Sequence, residues 1–513
     1  AAGSILASRL SEDPGTSVLL LEAGHDYPNF EHLPDEIKYG DSSYAESPDS
    51  EHNWALSGIT TEEQGTAHVA QGKVIGGGSS INGQAMQRGL PEDFDGWASM
   101  GNDEWTYPKV LPYYRKSEHD LDIQDDFHGT EGPMPVRRRQ SGEWPPIQRA
   151  FHDALLATGY NHVEDTNGTD PTGVGVWPTN NLDGIRMSTA VTHLNPARHR
   201  LNLTVKGDVY VRKIITEDKV VVGIEAESGG EVFRLNANQV VLSAGALRSP
   251  QLLMLSGIGP SQHLKDKGID VVHNLEGVGK NLQDHLETYV QQECKTKDTL
   301  YSYVNKLNMV RIGIQWFLNR SGPCSTSFLE AGGFCKSSPE REYPNIQFHF
   351  FPAFVIDHGL VDPDRHGYQL HASPNHPKSR GHITLNSSNP YDYPKIQFNY
   401  LEHEDDLKQT IECIHVARKI LGQDSLKPFA GKEIGPGEHA QTNEVFEEYI
   451  RSKAETAYHP SCTLKMGVDN MAVVDQKLKV HGVENLRVVD ASVMPEITSG
   501  NLNAPTLMIA ERA

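Results

Sequence analysis

The 513-residue chain is 37% hydrophobic and 22% charged, with a mean hydropathy of −0.50, the profile of a water-soluble globular protein. Its 46 Lys+Arg against 68 Asp+Glu give a net charge of −22, which repels nucleic-acid phosphates, so no nucleic-acid partner is expected. No apolar run approaches the ~20 residues of a membrane span, so no transmembrane segment is expected either. Cys294, Cys324, Cys335, Cys413 and Cys462 are scattered, with no CxxC pair or Cys/His cluster. They predict no metal site and read as reduced thiols of a cytoplasmic protein. A chain of this length exceeds one hydrophobic core and predicts two or more domains.

In chain order, "AAGSILASRL" predicts an amphipathic helix with Ile5, Leu6 and Leu10 on one face. "TSVLLLEAGHD" follows as a buried parallel strand. A helix feeding a parallel strand implies a strand before it, and "MIAERA" at the other end reads as helix, so the chain is expected to be trimmed at both ends. Glu22 closes the strand where a Rossmann-type domain places its ribose-binding acid, and Gly3 falls at the last glycine of G-x-G-x-x-G. Residues 30–70 are polar and aperiodic, and are expected to run over the surface or over a cofactor. "QGKVIGGGSSINGQAMQRG" predicts a glycine-rich loop entering an apolar helix, a place where backbone amides can approach a ligand. "NLTVKGDVYVRKIITEDKVVVGIEAES" alternates like antiparallel strands. In "QVVLSAGALRSPQLLMLSGIGP", residues 240–243 predict a strand, Gly245 a tight turn, Ser249-Pro250 a helix start and Gly257 its C-cap. Later, "PNIQFHFFPAFV" reads as a long strand and "EDDLKQTIECIHVARKILGQ" as a helix.

The two glycine-punctuated stretches, residues 72–82 and 245–259, resemble the paired signatures of the glucose–methanol–choline (GMC) oxidoreductases, FAD-dependent enzymes that oxidise alcohols. Past residue 82 the first signature departs from the pattern at Met86. The resemblance runs the length of the chain and is strongest to choline-oxidising members in "ECKTKDTLY", "FLEAGGF", "AETAYHPSCTLKMG" and "RVVDASVMPEITSGNLNAPTLMIAERA". It implies a mixed α/β fold: a Rossmann-like FAD-binding domain assembled from residues 1–115, 191–285 and 446–513, and a substrate domain on a large antiparallel sheet from residues 116–190 and 286–445.

The resemblance also implies the site. His459 would be the general base, since a neutral imidazole suits proton removal near neutral pH, and Asn501 would hold the alcohol oxygen. FAD would lie on Gly3, Glu22, Gly76, Gly77, Asn82, Gly83, Val211, Asp490, Ala491, Asn503 and Pro505. It would be non-covalent, because Ile81 stands where some relatives carry a flavin-linking histidine. A quaternary ammonium requires a carboxylate and aromatic faces, and Glu330, Tyr458 and Phe350 are the residues expected to supply them. The implied reaction is oxidation of a primary alcohol, choline or a choline-like alcohol, to its aldehyde by hydride transfer to flavin N5. An aryl- or furfuryl-alcohol oxidase or dehydrogenase, and a non-redox flavin-containing lyase, remain open alternatives. The implied partners are a small-molecule alcohol and an electron acceptor, either oxygen or a quinone-type carrier. The implied location is cytoplasmic, or peripheral on the inner face of a membrane.

Overall fold

Helix Ala2–Leu10 buries Ala2, Ile5, Leu6 and Ala7. Its Arg9 pairs at 2.8 Å with the buried Glu511 of the last helix, Asn503–Arg512. The two ends of the chain therefore share one core in this computed structural model, which describes residues 1–303, 306–355 and 364–513. Among the described residues, no helix is long and apolar enough to cross a membrane.

Strand Val18–Leu21 pairs in parallel with Leu203–Lys206. This corrects the expectation that residues 203–206 open an antiparallel run. Asp208, at φ +57, turns the chain before the meander begins. The meander itself, Tyr210–Glu217, Val220–Ser228 and Glu231–Asn236, is antiparallel as its alternation predicts. Its first turn places Asp218 and Lys219 both at positive φ, the geometry that matches the twist of paired strands. A second parallel pair joins Val240–Leu242 to Leu486–Val488 and ties the C-terminal segment to the middle of the chain.

Two other expectations need correction. Residues 83–89 do not form a helix. Met86 N donates to Pro178 O at 2.9 Å and Asn180 N donates to Gln84 O at 2.9 Å, so the backbone is satisfied across the fold instead of along a helix. Within residues 30–70, Leu56–Ile59 and Thr66–Val69 form a hairpin, which joins Lys395–Gln397 and His382–Thr384 in a four-stranded sheet.

The largest sheet runs in the order Ala430–Gly435, Leu286–Cys294, Gly367–Pro374, Ile346–Phe351, Ala331–Cys335, Gly173–Val176. Successive side chains of a strand point to opposite faces. One face carries Ile346, Phe348, Phe350, Leu370 and Val290, all buried. It is covered by helices Pro146–Ala157 and Glu404–Leu421, with Phe350 stacked on Phe151 at 4.4 Å. The other face carries Glu287, Gln347, His349, Phe351 and His371, and these line a cavity.

Helix Gly245–Leu255 starts earlier than Ser249-Pro250 predicts, with Pro250 in its interior. A helical proline leaves the carbonyl four residues back without its donor, here Ala246 O. The buried Thr463 hydroxyl donates to that carbonyl at 2.6 Å. The expected C-cap holds, with Gly257 at φ +80. Replacing Thr463 with Val should cost about 1–3 kcal/mol through the unsatisfied buried carbonyl, and Thr463→Ser should restore most of it. Denaturant unfolding of both variants checks this.

Candidate active site

A cavity of about 1800 Å³ runs from the N-terminal helix to the polar face of the large sheet. At one end it is lined by Gly3, Glu22 and Val211, in the middle by Gly76, Gly77, Asn82, Gly83, Asp490 and Ala491, and at the far end by Tyr458, His459, Asn501 and Asn503. The sequence-predicted residues thus converge on one continuous wall, with three exceptions. Pro505 is buried in the last helix and does not line the cavity. Phe350 points to the opposite face of the sheet. Glu330 is buried behind the wall, where it accepts from the Thr326 hydroxyl at 2.7 Å and lies 3.6 Å from the Arg139 guanidinium. Its charge already has a partner, and it does not face the cavity.

The middle of the cavity fits a diphosphate-bearing cofactor such as FAD. Gly76 and Gly77 take φ of +96 and +54, a backbone that side chains disfavour and that leaves no Cβ between the chain and a ligand. Two polar atoms of cavity-lining residues, Ser243 Oγ and Arg248 Nη1, are buried and have no protein partner among the described residues. A polar ligand in the cavity would satisfy both. Asp490 is already occupied: its carboxylate accepts from Gly245 N at 2.9 Å, Ser249 Oγ at 2.6 Å and Ser492 N at 2.8 Å, which joins the ends of the second parallel strand pair.

At the far end, a chain of hydrogen bonds sets the protonation of His459. His285 Nε2 lies 2.9 Å from Asn375 O, and a carbonyl only accepts, so His285 Nε2 carries a proton. Burial pushes the His285 pKa down to about 4, so the ring is neutral and its Nδ1 is a lone pair. His459 Nδ1 faces that lone pair at 3.0 Å and must donate to it. His459 Nε2 therefore presents a lone pair to the cavity. Asn501 Nδ2 donates toward it at 3.2 Å, and Gln347 Nε2 holds Asn501 Oδ1 at 3.2 Å, which fixes the orientation of the amide. Burial, then the neighbouring His285 and His349, hold His459 well below the ordinary histidine pKa.

Asp284 holds the loop that carries this histidine. Its Oδ1 accepts from His459 N at 2.8 Å and its Oδ2 accepts from Tyr400 Oη and Thr456 Oγ1. Tyr458 and Cys462, on either side, sit at φ +60 and +71, a strained backbone for non-glycine residues that these bonds sustain.

A second set of bonds surrounds Glu287, which the sequence reading missed. Gln369 Oε1 accepts from Gln291 Nε2 and Val355 N, each at 2.9 Å, so its Nε2 faces and donates to His371 Nε2 at 2.5 Å. His371 Nδ1 then carries the proton and donates to Glu287 Oε2 at 2.8 Å. His349 Nε2 lies 3.6 Å from the other carboxylate oxygen. Burial pushes the Glu287 carboxyl up, opposed by His349. Phe351 adds an aromatic face 4.8 Å from the His371 ring. The strand alternation of "IQFHFF" was the available signal, since it separates Gln347, His349 and Phe351 from Ile346, Phe348 and Phe350.

Comparisons with known proteins place the chain in a family. Residues 43–287 match the N-terminal pattern of GMC oxidoreductase and residues 377–510 match its C-terminal pattern. The chain belongs to the GMC oxidoreductase family. It is a flavin oxidoreductase acting on alcohols, with FAD as cofactor. It is 43% identical to an oxygen-dependent choline dehydrogenase of Staphylococcus saprophyticus over 100% of this chain and 92% of that protein. It is also 43% identical to the mitochondrial choline dehydrogenase of Homo sapiens, over 100% of this chain and 87% of that one. Among solved structures, pyridoxine 4-oxidase from Mesorbium loti superposes with a TM-score of 0.89 at 30% identity, covering 99% of this chain and 96% of that one. A formate oxidase superposes with a TM-score of 0.91 at 25% identity, covering 100% and 95%.

The buried histidines have a consequence for stability. Neutral in the fold, His285 (about 4), His349 (about 4) and His371 (about 3) regain the ordinary value of 6.5 when the chain unfolds. Below that value the unfolded state binds more protons at these histidines than the folded state, so their contribution to stability falls as pH falls, by up to about 1.4 kcal/mol per pH unit each. The buried carboxyls of Glu22 and Glu46, raised to about 7, and of Asp284, raised to about 6, act in the opposite sense over the same range. The stability difference between the wild type and His371→Gln, which share those carboxyls, should therefore shrink as pH is lowered from 6.5 toward 4. A difference that stays constant over that range would contradict the neutral ring assigned to His371.

Proposed function

We propose that the protein oxidises choline, or a primary alcohol bearing a similar cationic group, to its aldehyde, with His459 as the general base. The observation that carries this reading is the lone pair of His459 Nε2, turned to the cavity beside Asn501 Nδ2 at 3.2 Å. FAD, when bound, supplies the acceptor for the hydride that leaves the alcohol carbon. His459 Nε2 takes the hydroxyl proton as the carbon–hydrogen bond breaks, so the carbon–oxygen bond becomes a carbonyl. Asn501 Nδ2 orients the alcohol oxygen and stabilises its developing negative charge. A depressed pKa keeps His459 unprotonated and ready over the neutral range.

For the cationic end of the substrate, Glu287 replaces the sequence expectation of Glu330. Glu287 shares the cavity wall with His459, Phe351 and Tyr458. A carboxylate with aromatic faces suits a quaternary ammonium. A cation beside Glu287 also favours its ionised form, offsetting the burial that pushes its pKa up. The naming of two 43%-identical relatives as choline dehydrogenases supports the same substrate. FAD would be held without a covalent bond, since Ile81, on the cavity wall, has no side-chain nucleophile. Electrons would pass on to oxygen or to a quinone-type carrier, and oxygen is what the first relative's name states for that protein.

Two variants test the roles. His459→Ala should lower the rate of anaerobic flavin reduction by roughly 10²–10⁴-fold with FAD still bound; an unchanged rate would remove His459 from the chemistry. Glu287→Gln should raise KM for choline by about 10-fold or more while sparing its neutral isostere, in which tert-butyl replaces trimethylammonium. Steady-state kinetics with both alcohols separate the two outcomes, and an equal effect on both would end the ammonium role.

A further inference from the structure

Outside the cavity, three polar side chains from distant parts of the chain meet: Asp93, His376 and Ser499. Asp93 lies in the first turn of helix Pro91–Ser99 and is buried. Its Oδ2 accepts from Ser499 N at 2.7 Å and from Leu90 N at 2.8 Å. Its Oδ1 accepts from Ser499 Oγ at 2.9 Å and lies 3.0 Å from His376 Nε2. Ser499 Oγ is itself 2.9 Å from that nitrogen.

Both partners of Asp93 adjoin residues of the candidate site. Ser499 stands two residues before Asn501. Gly500 between them leaves no slack: it takes φ +75, and a Cβ there would stand 3.2 Å from both Gln87 and Phe334. His376 follows Asn375, whose carbonyl fixes the proton of His285 and through it that of His459. Asp93 therefore ties together two segments that address opposite nitrogens of the His459 ring: Asn501 at Nε2 and, through His285, Asn375 at Nδ1.

His376 is exposed, so its proton exchanges with solvent. Among the described residues, the titratable and charged groups that face it are Asp93, Glu496 and the neutral His285, and the Glu496 carboxylate pairs with Arg380 at 3.5 Å. Loss of water from part of the ring disfavours the imidazolium. The bond and charge of Asp93, then the charge of Glu496, outweigh this and raise the His376 pKa above its ordinary value.

We propose that Asp93 and His376 are positioning residues for the alcohol oxidation, which set Asn501 and the Asn375–His285 pair against the two nitrogens of His459, taking His459 and Asn501 in the roles proposed above. A residue that only caps its helix would affect stability. A residue that positions the reacting groups also changes the rate of the chemical step, and does so according to its charge state.

The test follows anaerobic flavin reduction by saturating choline, on the FAD-loaded protein, from pH 6 to 9. His376→Leu should slow reduction about tenfold at pH 6 and leave the Kd for choline unchanged. The ratio of the wild-type rate to the His376→Leu rate should fall toward 1 as pH rises, because the wild type then loses the same cation. No slowing at pH 6, or a ratio that does not change with pH, overturns the proposal. Asp93→Asn should slow reduction at least as much, yet cost far less in an Asn501→Ala background, where no amide is left to position. An equal cost in both backgrounds also overturns it. Asn501→Ala and His459→Ala alone separate the two levels. If both reduce at the wild-type rate, the site chemistry fails; if both are slow while His376→Leu and Asp93→Asn are not, only the positioning role fails.

Discussion

The period-two alternation of the large antiparallel sheet is the constraint on which the site depends. Its strands send Ile346, Phe348, Phe350 and Leu370 to one side, where two helices remove them from water. The same alternation sends Glu287, Gln347, His349, Phe351 and His371 to the other side, where they line the cavity. A slip of one residue in the Ile346–Phe351 strand would bury His349 against Phe151 and turn Phe350 into the cavity. The apolar core thus fixes the register, and the register fixes the site.

The second requirement is a defined proton position. His459 is useful as a base only if its cavity-facing nitrogen lacks a proton, and no residue in contact with that nitrogen dictates this alone. The Asn375 carbonyl does so from two bonds away, by demanding the proton of His285 Nε2. Burial keeps His285 neutral, so the demand passes to His459 Nδ1. Gln369 plays the corresponding part for His371 and Glu287. Burial here has two effects with one cause: it prevents the rings from charging, and it makes each unpaired polar atom costly enough that the bonds persist.

The cofactor half of this arrangement was legible in the sequence because local rules govern it. Glycines at positive φ, a strand ending in Glu22, and the helix C-cap at Gly257 each depend on neighbours within a few residues. The meeting of His459 and Asn501 on one cavity wall was legible through family resemblance. The carboxylate we propose for the ammonium end was not, because Glu287, His349 and His371 lie on three strands far apart in sequence, and only strand pairing brings them together. Glu330 looked equivalent as a residue type, and nothing local reveals that Thr326 and Arg139 already occupy it. The helix start at Gly245 was missed for a similar reason: Pro250 reads as a boundary until the distant Thr463 satisfies the carbonyl it leaves open.

Anaerobic titration of the FAD-loaded protein with choline tests the account most directly, read as bleaching of the flavin's long-wavelength absorption band. The account predicts full bleaching by choline, at concentrations well below those its neutral tert-butyl isostere requires. No bleaching by choline, with bleaching by a neutral aryl alcohol, would contradict the cationic-substrate reading.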